Sequence, residues 1–173
     1  MPACQQIARQ DAIWRALLET PDAWARHTGV DVQLYAGRAP RADLLDAGLA
    51  SDGGLFRRVL PSGNAKVGAV AHLDGAPVAH ALLMNRANMP PAMPDLGMPL
   101  GLIGVGTRPD LRGRGLARAC LGALDDRLTA PLAARARKQT RAAPIWLVAE
   151  PRMLPLARAA MRLPVCARPG TED

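Results

Sequence analysis

Two periods of hydrophobicity divide this chain. Residues 66–73 and 76–84, KVGAVAHL and APVAHALLM, are apolar runs of strand length. The Asp74-Gly75 between them is the dipeptide that closes a two-residue hairpin. On that loop Leu73 faces Ala76 and Ala71 faces Val78. Ala69, Ala71, Val78, His80 and Leu82 then share one face, and Val70, His72, Ala79 and Leu83 the other. Residues 100–105 and 145–149 are nearly uninterrupted apolar runs, which predicts strands covered on both sides. From Leu116 the period becomes helical, with Leu116, Cys120, Leu124 and Leu128 on one stripe. That helix is expected to reach about Ala130, where Pro131 predicts a kink or restart.

The flanking segments carry weaker patterns. Residues 11–26 predict an amphipathic helix with Ile13, Leu17, Leu18 and Trp24 on its apolar side, split or restarted at Pro21. Residues 30–35 alternate as a strand does, residues 41–50 predict a short helix stopped by Ser-Asp-Gly-Gly, and residues 55–60 a strand. Residues 88–99 hold four prolines and three methionines, which predicts a loop without regular structure, over a substrate site. Residues 151–163 have helical spacing despite Pro155, and residues 164–173 can supply at most one more strand. With neither an internal repeat nor a long linker, residues 1–173 are expected to form one domain.

Composition narrows the class. Apolar residues make up 49% of the chain and aromatics 3%, so a core must be built from Leu, Val, Ala and Met. The net charge of +7 comes almost wholly from arginine, Lys66 and Lys138 being the only lysines, and it favours anionic partners. Cys4, Cys120 and Cys166 are widely spaced with no CxxC, which speaks against a disulfide framework or a zinc site; no metal is expected. Cys120, on the apolar stripe, reads as a small core residue. No run approaches about 18 apolar residues and the N-terminus lacks a signal-peptide core, so the expectation is a soluble cytoplasmic protein that does not enter a membrane.

The chemistry concentrates where the strand ending near Val105 meets the helix beginning at Leu116. Arg108-Pro109-Asp110 is a turn, and Arg112-Gly113-Arg114-Gly115 then leads into the helix. The first N–H groups of a helix have no intrahelical partner, and the macrodipole favours negative charge there. Glycine lets that backbone approach a phosphate closely, and Arg112, Arg114 and Arg118 add donors suited to phosphate oxygens. These features point to a pyrophosphate cradle, the alternative being a solvated basic turn. A P-loop would need Gly-Lys-Ser/Thr here, whereas Gly115 precedes Leu116-Ala117. A dinucleotide fingerprint would follow the first strand of a βαβ unit rather than an antiparallel hairpin.

The element order, together with Arg112-Gly113-Arg114-Gly115-Leu116-Ala117, resembles the GNAT superfamily of acyl-CoA N-acyltransferases with its Q/R-x-x-G-x-G/A signature. Residues 105–111 also resemble the strand and turn that precede it. The resemblance implies an α/β fold with a mixed, mostly antiparallel central sheet and helices on both faces, its C-terminal strands shortened or missing. It implies an N-acetyltransferase moving an acetyl group from acetyl-CoA to an amine, in a small molecule or a protein. Gly113, Arg114, Gly115, Leu116, Ala117 and Arg118, with Arg112, would hold the coenzyme A pyrophosphate. Val105, Gly106 and Thr107 would bond the pantetheine arm like an added strand. The strand at residues 145–149 would splay from this one to admit the thioester, and an N–H near Val105 would stabilise the oxyanion.

The acceptor half is less complete. A lysine-like amine is about one part in 10³ neutral at pH 7, a deficit of roughly 4–5 kcal/mol that a base must help remove. Glu150, at the end of its strand, is the first candidate base and His80 the second. A solvated strand-end carboxylate and a buried sheet histidine are the competing readings. Family members often place a tyrosine acid in the helix after the splayed strand, where this chain has Ala160; Met153 replaces a frequent asparagine and Leu163-Pro164-Val165 the usual corner. Tyr35 is the only tyrosine, far upstream. Two alternatives stay open: a non-catalytic acyl-CoA-binding or regulatory module, and a nucleic-acid-modifying relative using Arg135, Arg137, Lys138 and Arg141. An incomplete C-terminal sheet would leave the acceptor side open or completed by a second copy in a homodimer.

Overall fold

The computed structural model describes residues 17–37, 66–84, 98–136, 145–149 and 151–167. Seven strands form one sheet in chain order: β1 (Ala23–His27), β2 (Val30–Gly37), β3 (Lys66–Leu73), β4 (Ala76–Met84), β5 (Met98–Thr107), β6 (Ile145–Ala149) and β7 (Val165–Ala167). The first four pairings are antiparallel, and β5–β6 and β6–β7 are parallel. The expected mixed, mostly antiparallel sheet is therefore present, and among the described residues it ends in the short strand β7. Among the described residues, α1 (Leu116–Ala136) and α2 (Leu154–Ala160) pack on it.

Both hairpin turns follow from left-handed backbone. Thr28 and Gly29 (φ 51° and 81°) join β1 to β2, and Asp74 and Gly75 (φ 51° and 77°) join β3 to β4. Positive φ at both central residues makes a turn whose twist matches the strands it joins.

Helix α1 covers the face carrying Val32, Leu34, Ala69, Ala71, Ala81, Leu83 and Leu102, against which Leu116, Cys120, Leu124 and Leu128 are all buried. The small alanines on β3 and β4 let the helix come close. Helix α2 packs on α1 and β7, adding Ala157 and Met161 to the same core. Asp125 of α1 is the fastener: 2% exposed, it accepts hydrogen bonds from the backbone N–H groups of Arg162 and Leu163 and from the Arg162 guanidinium, at 3.1, 3.1 and 2.7 Å.

Several expectations are corrected. The helix predicted over residues 11–26 ends at Leu18, and Trp24 lies in β1, 61% exposed. Pro21 breaks the helix, and the Thr28-Gly29 turn then commits the residues around it to a hairpin. Pro131 neither ends nor restarts α1, which runs to Ala136. Met98 and Pro99, assigned to the proline-rich loop, begin β5 at the outer end of its pairing with β6. The helix expected over residues 151–163 is a single 3-10 turn followed by α2, with Pro155 in its first turn, where its missing N–H costs nothing. The helix expected at 41–50, the strand at 55–60 and residues 88–97 lie outside the described residues.

The hairpin register is the correction with most consequence. Ala71 pairs with Ala79 and His72 with Pro77, so Val78 is an extra residue, a β-bulge. A one-residue shift exchanges the faces of every residue beyond it. His80 consequently faces away from α1, beside Val70 and Leu82, rather than sharing a face with Ala69 and Ala71.

Candidate functional site

The geometry of the site begins with a second bulge. Leu82 pairs with Gly104 and Leu83 with Leu102, leaving Ile103 as the extra residue of β5. Beside it, the last pair with β6 among the described residues is Leu102–Ala149. A bulge bends its strand and increases the local twist. Residues 104–107 are thus bonded to β4 on one side and have no strand on the other among the described residues. Val105, Gly106 and Thr107, the expected pantetheine strand, are half-buried along this open edge.

The edge leads directly into the arginine–glycine loop. Its turn is rigid: Arg108 N–H donates to the Val78 carbonyl at 2.9 Å, and Leu111 N–H to the Arg108 carbonyl at 2.9 Å. The Arg108 guanidinium grips both oxygens of Asp110, at 2.7 and 2.8 Å. That bond lowers the Asp110 pKa and raises that of Arg108. Gly113 and Gly115 stand at φ 79° and 76°, where a side chain is strained, and a Cβ at either would meet nothing within 4 Å. Both glycines are therefore required by backbone conformation, with open space in front of them.

Helix α1 starts at once, its first intrahelical-type bond running from Ala119 N–H to the Gly115 carbonyl at 2.9 Å. Among the described residues nothing accepts a hydrogen bond from the amides of residues 113–118. Gly113, Arg114, Gly115 and Arg118 are exposed, Ala117 is half-buried, and Leu116 is buried as the anchor of the helix. The guanidinium groups of Arg112 and Arg114 are exposed and hydrogen-bond no described residue, whereas that of Arg118 reaches the Ala159 carbonyl at 3.4 Å. The arrangement can take an anion on backbone amides with two arginines beside it.

His80 lies next to the open edge. It is fully buried, and its imidazole rests on Gly106, so closely that a Cβ there would overlap the ring at Cε1. Burial pushes its pKa down to about 4, so the ring is neutral at pH 7. Glu150 lies outside the described residues. Of the basic segment, Arg135 falls in the last turn of α1 while Arg137, Lys138 and Arg141 lie outside. No group of three His, Cys, Asp or Glu among the described residues is placed to hold a metal ion, and no described helix is long and apolar enough to cross a membrane.

The surroundings of Tyr35 and Asp125 were not marked by any periodic pattern. Gly68, in the interior of β3, is a feature compatible with the first, since glycine in a strand allows a close approach: the Tyr35 ring lies across it.

The chain is similar in structure to N-acetyltransferases. One is a ribosomal-protein-alanine N-acetyltransferase from Brucella melitensis biovar Abortus 2308, 19% identical, with 75% of this chain and 86% of that one covered, at a TM-score of 0.42. Another is a GCN5-related N-acetyltransferase from Ralstonia eutropha JMP134, 26% identical over 76% of this chain and 83% of that one, at a TM-score of 0.38. No protein-family model and no curated protein sequence matches the chain.

Proposed function

We propose that this protein binds acetyl-CoA along β5 and the N-terminus of α1 and transfers its acetyl group to an amine. The observation that carries this reading is the continuity of a strand edge with no partner among the described residues, residues 104–107, with a loop of two left-handed glycines at a helix start. An extended amide-bearing arm that ends in a pyrophosphate matches both features at once. The arm would pair with Val105, Gly106 and Thr107 as a strand does, and the pyrophosphate would lie on the amides of residues 113–118, beside Arg112 and Arg114. A cytoplasmic setting accords with this donor.

In the reaction the amine nitrogen attacks the thioester carbonyl carbon, its proton passes to a base, and the C–S bond breaks to release coenzyme A. A β5 amide near Val105 would hydrogen-bond the developing oxyanion. Glu150, the first candidate base, lies outside the described residues; for His80, the second, the position against Gly106 and the neutral ring support a role as base. A base whose pKa is near 4 accepts a proton weakly, so His80 would act best on an amine already neutral.

The reading is tested by a thermal-shift titration with acetyl-CoA, followed by acetylation assays on peptides, polyamines and aminoglycosides. Gly115→Asp sets a carboxylate against the pyrophosphate while keeping a residue that tolerates positive φ. Acetyl-CoA binding is expected to vanish with the fold retained; unchanged affinity by calorimetry refutes the cradle. Saturable binding without turnover on any amine would select the non-catalytic module instead.

A further inference from the structure

Strand β1 is the outer strand of the sheet among the described residues, and its own turn fixes which backbone groups point outward. Thr28 and Gly29, both at positive φ, make a two-residue loop, so the closing pair His27–Val30 exchanges both of its backbone bonds. Bonded and non-bonded pairs alternate from there. Ala25 and Ala23 are bonded to Val32 and Leu34, while the N–H and C=O groups of Trp24 and Arg26 point away from β2. A separate contact agrees with this phase: the Ala36 N–H points to the β1 side of β2, where the Asp22 carboxylate accepts it at 3.0 Å.

The usual guards of a sheet edge are a bulge, a proline, an unpaired charge or a very short strand. At the other end of the sheet β7 is guarded by its length, three residues. Strand β1 has five residues, pairs with β2 without a register shift and holds no proline, and its Arg26 is already met by Asp31 at 3.0 Å. Ala23, Trp24 and Arg26 are exposed. Trp24 stands beside the midpoint of the strand with its indole against the His72 ring, centroids 4.9 Å apart, and most of it faces water. On the α1 side the strand presents only Ala23, Ala25 and a His27 ring laid over Gly122.

We propose that β1 pairs antiparallel with β1 of a second copy of this chain, about a two-fold axis at Ala25. An axis at the midpoint of Ala23–His27 leaves no residue of the strand unpaired. Trp24 then lies opposite Arg26 of the second copy, and Arg26 opposite its Trp24, as hydrogen-bonded pairs. Symmetry makes the two pairs identical, and each brings a guanidinium to an indole while Arg26 keeps Asp31. An axis at Arg26 would instead set the two guanidinium groups opposite each other. An axis at Trp24 would set Arg26 opposite an Asp22 already bonded to the Ala36 N–H. With the axis at Ala25, the small Ala23 falls beside His27 of the second copy. The patch is small, so the association is weak and transient. The dimer is independent of the acetyl-transfer reading: β5 is four strands inward from β1, and both copies keep its far edge free.

The test combines sedimentation of the full chain with cross-linking at the axis. The wild type is expected to pass from monomer to dimer as its concentration rises through the micromolar range. Trp24→Lys sets a cation opposite Arg26 of the second copy and is expected to weaken association about tenfold or more, with the circular dichroism spectrum retained. Two cysteine variants read the register, each made with Cys4→Ser and Cys166→Ser. Ala25→Cys meets its own copy across a non-hydrogen-bonded pair, whose Cα spacing suits a disulfide, and is expected to cross-link on mild oxidation. Ala23→Cys lies opposite His27 and is expected to stay monomeric on reducing-agent-free gels. A wild type that remains monomeric throughout the range overturns the proposal; that is the outcome if the edge takes an extended segment of another protein instead. Unweakened association of Trp24→Lys overturns it too, as does a disulfide that forms as readily at Ala23→Cys as at Ala25→Cys.

Discussion

Acidification should expose His80 before it unfolds the rest of the sheet. The imidazole is neutral in the folded protein, its pKa pushed by burial from 6.5 to about 4. In the unfolded chain it recovers the ordinary value and binds a proton below about pH 6.5. A lowered histidine pKa thus contributes stability that is present above pH 6.5 and lost as pH falls toward 4. The gap corresponds to about 3 kcal/mol when fully expressed, of which about 2 kcal/mol is lost by pH 5. Other groups titrate in the same window, His72 among them, whose pKa is also lowered by burial. The contribution of His80 is therefore read as a difference. In urea unfolding at pH 7.5, 6, 5 and 4, the wild type should lose about 3 kcal/mol more stability than His80→Leu as the pH falls. An offset between the two proteins at pH 7.5 leaves that slope unaffected. Parallel curves across this range would show that the imidazole is hydrated or charged in the folded state, and would also remove the neutral base from the site.

Two further outcomes concern buried groups. Asp125→Ala leaves the amides of Arg162 and Leu163 without their acceptor and should cost about 2–4 kcal/mol in urea unfolding. Arg162→Ala should cost under about 1 kcal/mol, because that side chain is 66% exposed; equal losses would show that the ion pair rather than the backbone bonds is the fastener. Cys120, fully buried with its thiol pushed up to about 12, should resist a thiol reagent at pH 7 until the protein is unfolded, while the exposed Cys166 reacts. Rapid labelling of Cys120 in the native state would mean that the face under α1 opens readily.

Much of the scaffold was legible because it is specified locally. The hairpin ends were set by Asp74-Gly75, the strand at Ile145–Ala149 by its unbroken apolar run, and the buried stripe of α1 by residues four apart. The glycine loop belongs to this class, since Gly113 and Gly115 are needed by the φ of their own residues. Trp24 misled because an apolar residue at helical spacing is equally suited to the exposed side of a hairpin, and Pro21 decided between them. Pro131 misled in the other direction. A proline costs a helix roughly 3 kcal/mol, and the packing of α1 against the strands β1–β5 and α2 outweighs a local penalty of that size. Tyr35 and Asp125 could not be placed from pattern, because their neighbours lie far along the chain and are brought together only by sheet and helix packing.

The two bulges explain why the donor side was readable and the acceptor side was not. Each inserts one residue, Val78 in β4 and Ile103 in β5, and neither has a composition that announces it. The bulge at Ile103 directly follows the last described pair with β6, Leu102–Ala149, and precedes the glycine loop without altering it. The bulge at Val78 exchanges faces, moving His80 from beside the alanines under α1 to the row next to Tyr35. Its carbonyl takes the Arg108 N–H, which holds the far end of β5 against β4 just before the loop. One inserted residue therefore both turns the histidine toward the open edge and pins the strand that carries that edge. Without it the same sequence would bury His80 against α1, and the face that holds Tyr35 would carry no imidazole.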